Sequence, residues 1–275
     1  MTILEKIIEQ TISDLKKRKN SVTLRDLESF ECFEWKRRGF GQTLNGKDLS
    51  VIAEVKKASP SKGIIREDFN HLEIAESYVK NGASAISVLT DTPFFQGSLR
   101  FLEEISKRFD IPLLRKDFIV DPYQIAEARA YGADAVLLIA SVTEEKQLDE
   151  LLHAANEYEL DALVECYHEE EVRALNWKNI SLFGVNNRNL HTFEVNLHHG
   201  VELLQISPEE TVRVSESGLS TAEDLKYLVD HQIDAALIGE HFMKQPDPGM
   251  ALADMLDQLH ELIQKDELHK QETGN

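Results

Sequence analysis

Short apolar runs recur along this chain at intervals of roughly 20–35 residues, and they constrain the fold more than any other feature. Most of the runs are continuous and rich in Val, Ile and Leu, which is typical of parallel strands buried on both faces. Helical patterns fill the intervals between the runs. The runs are Val51–Ala53, Ala85–Leu89, Leu113–Leu114, Ala135–Ile139, Ala162–Val164, Leu182–Val185, Val212–Val214 and Ala235–Ile238.

Local signals mark the expected ends of the intervening helices. Asp121 before Pro122 predicts a helix start, because aspartate caps helices and proline fits the first helical position. The segment Ser220–Glu223 is interpreted as a capping box. Gly82 and Gly132 stand where a helix should stop, just before the next apolar run. Strands alternating with helices predict an α/β fold, a (β/α)8 TIM barrel, with a doubly wound open sheet as the alternative.

The length of 275 residues and the apolar fraction of 42% suit one barrel domain that spans residues 1–275. Residues 1–47 precede the first strand and predict an N-terminal helical extension packed on the barrel. Residues 265–275 are polar and are expected to fray. The extension carries an apolar stripe at helical spacing, which comprises Ile3, Leu4, Ile7, Ile8, Ile12 and Leu15.

Charge and cysteine content narrow the class of protein. The formal net charge of −19 disfavours nucleic acid and anionic lipid as partners, so an anionic substrate would need a locally positive pocket. Acidic residues interrupt the first 19 positions, which argues against a signal peptide, and no apolar run is long enough to span a membrane. Cys32 and Cys166 are far apart, which indicates a reducing cytoplasm. Scattered histidines without ligand spacing indicate that no metal is bound.

Charged residues follow the predicted strands, where a barrel of this kind places its reactive groups. Glu54 and Lys56 end the first strand, Lys116 the third and Glu165 the fifth, while Asn186 ends the sixth. Carboxylates raise the pKa of such a lysine and burial lowers it, so it can act as a proton donor. The alternative is an ion-pair network that only closes the barrel mouth. Burial of several charges without a task is expensive, which favours an active site.

Two turns after the last strands predict a phosphate site, because Gly218 and Gly239 let backbone N–H groups approach an anion. The alternative is that these glycines only make the turns tight. Phe118 is either core or a wall for a planar substrate ring. Arg188 pairs either with a substrate anion or with a carboxylate of the barrel. Cys166 is interpreted as a small buried apolar residue.

At these residues the chain closely resembles the indole-3-glycerol-phosphate synthase family of tryptophan biosynthesis. The matching segments occur in the order of the family and cover the barrel from about Val51 to Met243. They are IAEVKKASPSKG (Ile52–Gly63), LLRKDFIVDPYQI (Leu113–Ile125), ALVECY (Ala162–Tyr167), GVNNRNLHTF (Gly184–Phe193), SESGL (Ser215–Leu219) and ALIGEHFM (Ala236–Met243).

The resemblance implies roles for residues at matching positions. Departures at Asn189 and at His241–Phe242 affect the loops rather than the implied reaction. The implied acid–base residues are Glu54, Lys56, Lys116 and Glu165, and the residues implied around the substrate hydroxyls are Asn186 and Ser217. The implied substrate- and phosphate-binding residues are Ser59, Pro60, Phe118, Arg188, Gly218, Leu237, Gly239 and Glu240.

The implied reaction closes the indole ring of 1-(2-carboxyphenylamino)-1-deoxyribulose 5-phosphate with loss of CO2 and water. Our hypothesis is that Lys116 donates a proton to the C2′ carbonyl oxygen, while the division of the remaining steps among Glu54, Lys56 and Glu165 stays open. No cofactor is implied, because no net redox change occurs. Rival hypotheses are an aldose–ketose isomerase and a non-catalytic sensor of phosphorylated metabolites. Other enzymes of the tryptophan pathway are candidate partners.

Overall fold

The computed structural model describes residues 2–189 and 194–273, and within these residues eight parallel strands close into a barrel. The strands follow one another around the barrel in chain order, and the first pairs with both the second and the last. The predicted barrel is therefore confirmed and the open sheet is wrong. Strands β1 to β8 are Ser50–Val55, Ala85–Leu89, Leu113–Lys116, Ala135–Ile139, Asp161–Cys166, Leu182–Asn186, Val212–Glu216 and Ala235–Ile238.

Helices surround the barrel and precede its first strand. In the described part of the chain, helices α1 to α13 are Ile3–Ser21, Leu24–Glu28, Phe40–Leu44, His71–Lys80, Thr92–Phe95, Leu99–Arg108, Pro122–Ala130, Glu145–Glu157, Glu169–Ala174, Leu197–Leu204, Ala222–Asp230, Glu240–Met243 and Pro248–Thr273. Single 3-10 turns lie at Ala140–Val142 and Trp177–Asn179. A short antiparallel pair, Ala58–Ser59 with Gly63–Ile64, follows β1. Among the described helices none is long and apolar enough to cross a bilayer.

The predicted helix signals agree with the structure except at one capping box. Asp121 caps α7, and Gly82 and Gly132 have positive φ values of 95° and 82°. The capping box of α11 is formed by Thr221 and Asp224, so the prediction of a box over Ser220–Glu223 is wrong by one residue. The Ser220 backbone N–H instead donates to the same Asp224 carboxylate, which leaves Thr221 as the cap.

The N-terminal stripe forms the predicted helix, but not all of it is buried. Ile7 and Leu15 of α1 are buried, whereas Ile12 is 42% exposed. The basic end of α1 is tied to the barrel, since Arg18 lies 3.0 Å from Glu127 of α7. The extension is thus anchored by charge at one end and by apolar contacts along one side.

The polar C-terminal segment is helical, whereas the sequence predicts a frayed tail over residues 265–275. Helix α13 runs on to Thr273, although Leu268 is 60% exposed. An ion pair between Lys226 of α11 and Asp266, at 2.6 Å, helps to hold this part of the helix. The apolar pattern misses this segment because a charged contact, rather than a buried face, fixes it.

Alternation of side chains within the strands positions the charged groups. The apolar cluster inside the barrel draws on residues in the middle of the strands, and the next inward position of each strand lies two residues later. In four strands that next position carries a charge. The pairs are Ile52 with Glu54, Leu114 with Lys116, Leu163 with Glu165, and Val214 with Glu216. Phe40 and Leu44 of α3 fill the opposite end of this inner cluster.

Candidate active site

A cavity of about 440 Å³ opens at the carboxyl ends of the strands, within the size range of small-molecule sites. The structure brings all the sequence-predicted site residues to its wall, although the 190–193 part of the matched segment Gly184–Phe193 lies outside the described residues. The predicted residues at this wall are Glu54, Lys56, Ser59, Pro60, Lys116, Phe118, Glu165, Asn186, Arg188, Ser217, Gly218, Leu237, Gly239 and Glu240.

Lys116 is the central cation of the cavity. Its Nζ donates to Glu165 Oε2 at 3.0 Å and lies 3.3 Å from Glu216 Oε2. Burial lowers the pKa of Lys116, but Glu165, Glu216 and Glu54 together outweigh burial and hold the pKa above its ordinary value. Lys116 therefore carries a firmly held proton and presents an ammonium group to a ligand.

Glu216 is the most important residue that sequence reasoning missed. Its side chain is 1% exposed, and no donor among the described residues is aligned for a hydrogen bond to either carboxylate oxygen. Burial raises the pKa of Glu216 to about 8, and Glu165 adds to the rise while Lys116 opposes it. Glu216 therefore keeps its proton at neutral pH. The alternation Val212, Val214, Glu216 was a signal for an inward carboxylate.

Glu54 and Lys56 form a close ion pair on β1 and the residue after it, with 2.5 Å between Lys56 Nζ and Glu54 Oε2. Gly239 lies directly against this carboxylate, because a Cβ at Gly239 would collide with Glu54 Oε2. A glycine is thus required there to admit Glu54, whatever else the turn binds. Gly184 makes room for the Glu216 carboxylate in the same way.

A buried charge cluster outside the barrel braces the strand that carries Lys116. Arg115 is fully buried and points to the outer side of β3, where it donates to Gln124 O at 2.6 Å. It also pairs with Asp117 and Glu127, each at 2.9 Å. Since buried ion pairs are costly to break, this cluster fixes the backbone on both sides of Lys116.

Two consecutive asparagines at the end of β6 contact the neighbouring strand ends. Asn186 Nδ2 donates to Glu165 Oε1 at 3.4 Å. Asn187 Nδ2 donates to Ser215 Oγ and to Ser217 O, both at 2.9 Å. Ser217 has a φ of 70° and Gly218 a φ of 77°, a left-handed conformation that is unfavourable for serine. The Asn187 amide therefore stabilises the strained turn at Ser217, a role that sequence reasoning missed.

The mouth of the cavity carries a second set of charges. Arg188 Nη2 donates to Glu240 Oε2 at 3.1 Å, so Arg188 pairs with a carboxylate of the barrel in this structure. Glu240 Oε1 in turn accepts from Lys244 Nζ at 2.6 Å. Lys244 also lines the cavity and was not predicted. Ser59 of the short antiparallel pair after β1 and Pro60, which follows it in the turn, also line the cavity.

An apolar and aromatic wall completes the cavity. The rings of Phe118 and Phe95 lie 6.1 Å apart between centroids, tilted by 38°. Ile3 and Leu4 at the start of α1 also line the cavity, so the N-terminal extension contributes to the site. The cavity thus offers a flat apolar side for a ring and a charged side for anionic and hydroxyl groups.

Comparison with known proteins identifies the family of the chain. The family model described as indole-3-glycerol phosphate synthase matches residues 4–255. The indole-3-glycerol phosphate synthase of Acinetobacter baumannii (strain SDF) is 45% identical over 94% of this chain and 96% of that protein. That of Aliarcobacter butzleri (strain RM4018) is 47% identical over 89% of this chain and 94% of that protein.

A solved structure extends the comparison at the level of the fold. The 3-hexulose-6-phosphate synthase of Salmonella typhimurium superimposes with a TM-score of 0.61 at 16% identity, covering 77% of this chain and 100% of that one. At that identity the likeness shows the barrel alone. The family match and the sequence relatives carry the assignment further, and the chain belongs to the indole-3-glycerol phosphate synthase family.

Proposed function

We propose that this chain is an indole-3-glycerol-phosphate synthase, a decarboxylating lyase of tryptophan biosynthesis. It converts 1-(2-carboxyphenylamino)-1-deoxyribulose 5-phosphate to indole-3-glycerol phosphate, CO2 and water. Membership of the family supports the reaction. The single structural observation that carries the proposal is the Lys116 ammonium, which lies within 3.3 Å of two buried glutamate side chains, Glu165 and Glu216, at the centre of the cavity.

Ring closure requires a proton donor at the C2′ carbonyl oxygen of the open-chain sugar. The aromatic carbon that bears the carboxylate attacks C2′, and negative charge develops on that oxygen. We assign the donor role to Lys116, because its ammonium group faces the cavity from the end of β3. Preorganised charge in a water-poor site stabilises such an oxyanion more than water does.

Loss of CO2 and then of water follows ring closure. Dehydration requires an acid at the departing hydroxyl and a base at the ring proton. Glu216 supplies a protonated carboxyl group at neutral pH, because burial raises its pKa to about 8. Glu54 and Glu165, each paired with a lysine, are the candidate bases. The groups lie close enough that they titrate as a coupled set.

The far end of the substrate carries a phosphate, which we assign to the mouth of the cavity. Ser59, Arg188, Gly218 and Gly239 line this region together. Phosphate held there provides binding energy remote from the reacting carbons, and that energy orients the aromatic ring against the carbonyl. The Phe95–Phe118 wall suits the ring end, and Asn186 and Ser217 suit the hydroxyls between.

The remaining assignments follow from the same proposal. Residues 1–275 act as one domain, since α1 supplies Ile3 and Leu4 to the cavity of the barrel. The reaction involves no net redox change, so it requires no redox cofactor. A cytoplasmic location and contact with other enzymes of the tryptophan pathway are part of the proposal.

An indole fluorescence assay tests the proposed function. Purified protein is mixed with 1-(2-carboxyphenylamino)-1-deoxyribulose 5-phosphate, and we expect indole fluorescence to rise with release of one CO2 for each indole formed. Protein that binds the substrate without producing indole fluorescence would support a metabolite sensor instead. An aldose–ketose isomerase would give neither the fluorescence nor the CO2.

A further inference from the structure

The cations that line the cavity are already paired with carboxylates. Lys56 pairs with Glu54, and Lys116 pairs with Glu165. The two cations at the mouth, Arg188 and Lys244, share Glu240 as described above. A phosphate dianion that enters this site therefore meets no unpaired lysine or arginine among the described lining residues.

Glu240 is a carboxylate in the very place where the substrate is expected to bring an anion. Burial raises the pKa of Glu240, but Lys244, Arg188 and Lys56 together outweigh burial and hold the pKa below its ordinary value. The side chain is thus an anion at neutral pH. A phosphate within hydrogen-bond range of Arg188 would lie close to this charge, and like charges in a partly buried site repel strongly.

We propose that the Glu240 carboxylate competes with phosphate for the Arg188 guanidinium, and that this competition sets how tightly the phosphate end of a ligand is held. Glu240 is therefore not a phosphate ligand through its side chain. It is a counter-ion that phosphate displaces. The inference rests on the proposed function only in taking a phosphorylated ligand as the molecule that binds.

The local geometry gives Glu240 a second partner when it leaves Arg188. Lys244 lies one helical turn later and is bound to the other carboxylate oxygen, and its side chain is 51% exposed. The Glu240 side chain can turn outward to Lys244 alone, so displacement does not leave a buried unpaired carboxylate. Arg188, only 22% exposed, stays in the cavity for the incoming anion.

Such an exchange has a consequence for turnover. Substrate and product of the proposed reaction carry the same phosphate, so any gain in phosphate affinity also slows product release. A carboxylate that re-forms its pair with Arg188 favours departure of the product. Glu240 therefore lowers the affinity for the phosphate group and speeds release of the product.

The test measures binding of inorganic phosphate to the full chain by isothermal titration calorimetry. Glu240→Gln keeps the shape of the side chain and removes its charge. We expect the Kd for phosphate to fall about fivefold or more, as loss of a partly buried competing charge implies. A merely structural role for Glu240 would leave phosphate binding unchanged or weaken it.

Glu169→Gln is the matched control. Glu169 pairs with Arg173 one turn later on α9, does not line the cavity, and its replacement changes the net charge by the same amount. We expect its phosphate Kd to equal that of the wild type. A Glu240→Gln Kd equal to or above the wild-type value would overturn the inference.

Turnover of the wild-type chain separates this inference from the proposed function. If the wild type gives indole and Glu240→Gln fails to tighten phosphate binding, only the inference is wrong. If the wild type gives no indole while Glu240→Gln still tightens phosphate binding, the inference stands and the proposed reaction is wrong.

Discussion

At the scale of single residues, two groups of the cavity, Lys116 and Glu216, both carry a proton at neutral pH. The ammonium of Lys116 is stabilised by its carboxylate neighbours, and Glu216 is protonated because its burial is only partly offset by Lys116. Neither state is set by the residue alone. Each depends on the other, since loss of the Lys116 charge would raise the pKa of Glu216 further.

The protonation states of Lys116 and Glu216 predict how turnover changes with pH above neutrality. We expect kcat to fall as pH rises through about 8, because Glu216 then loses the proton that dehydration requires. Lys116 cannot cause this fall, since its pKa lies above the ordinary lysine value. The measurement is kcat from pH 6 to 10 by the fluorescence assay, compared with Glu216→Gln, in which the fall near pH 8 should be absent.

Unfolding in urea supplies the control for this prediction. The folded-state pKa of Glu216 lies above its unfolded value of 4.5, so its contribution to stability is present below pH 4.5 and is lost as pH rises to about 8. The free energy of unfolding of the Glu216→Gln variant, measured in urea, should therefore fall less than that of the wild type between pH 4.5 and about 8. If the turnover of Glu216→Gln still falls near pH 8, a group other than Glu216 titrates there.

The sequence predicted the position of those polar side chains that stand at the ends of strands. Glu54, Lys116 and Glu165 stand at strand ends, and alternation turns each of them inward. The sequence did not identify the ion-pair partner of Arg188, because Glu240 lies 52 positions away in the chain. Only the closed barrel brings these two residues together.

At the scale of elements, the ends of β6 and β7 act as one unit. Asn187 follows β6, and its amide holds the carbonyl of Ser217 after β7. A Cβ at Gly218 would collide with Val195 of the same region, so the turn is confined from both sides. The loop that we assign to substrate hydroxyls and phosphate is therefore held in its strained form by a neighbouring element.

We expect Asn187→Asp to raise KM about tenfold while changing kcat less, because the carboxylate cannot donate to Ser217 O and a lost buried hydrogen bond costs roughly 1–3 kcal/mol. Steady-state kinetics by the fluorescence assay measures both constants. Asn156→Asp on the exposed face of α8 is the matched control and should behave as wild type. A fall in thermal stability with KM unchanged would show that Asn187 only supports the fold.

Element boundaries were predicted where a local rule dominates. The side chain of Asp121 caps the start of α7. Positive φ angles at Gly82 and Gly132 follow the ends of two other helices, and glycine adopts such angles without strain. Gln232 takes a φ of 56° at the comparable point before β8, where the sequence offers no glycine. Exposure of Ile12 could not be predicted, since helical spacing alone does not tell which turns of α1 the barrel covers.

At the scale of the whole molecule, a strongly acidic chain places four of its 30 Lys and Arg side chains in one cavity. The chain has a formal net charge of −19, yet Lys56, Lys116, Arg188 and Lys244 all line the same cavity. Each of these cations forms an ion pair with a carboxylate. The recurring apolar runs predicted the barrel, but this balance of charge appears only when the strands close.

The turnover of Lys116→Met tests the central claim most directly. With 1-(2-carboxyphenylamino)-1-deoxyribulose 5-phosphate as substrate, the wild type should give indole fluorescence, and Lys116→Met should lower kcat by about a thousandfold, as expected for loss of a proton donor. Inorganic phosphate should bind the variant with a Kd within about twofold of wild type, which shows an intact cavity mouth. Turnover of Lys116→Met at the wild-type rate would contradict the account, because the reaction would then not require the Lys116 ammonium as a proton donor.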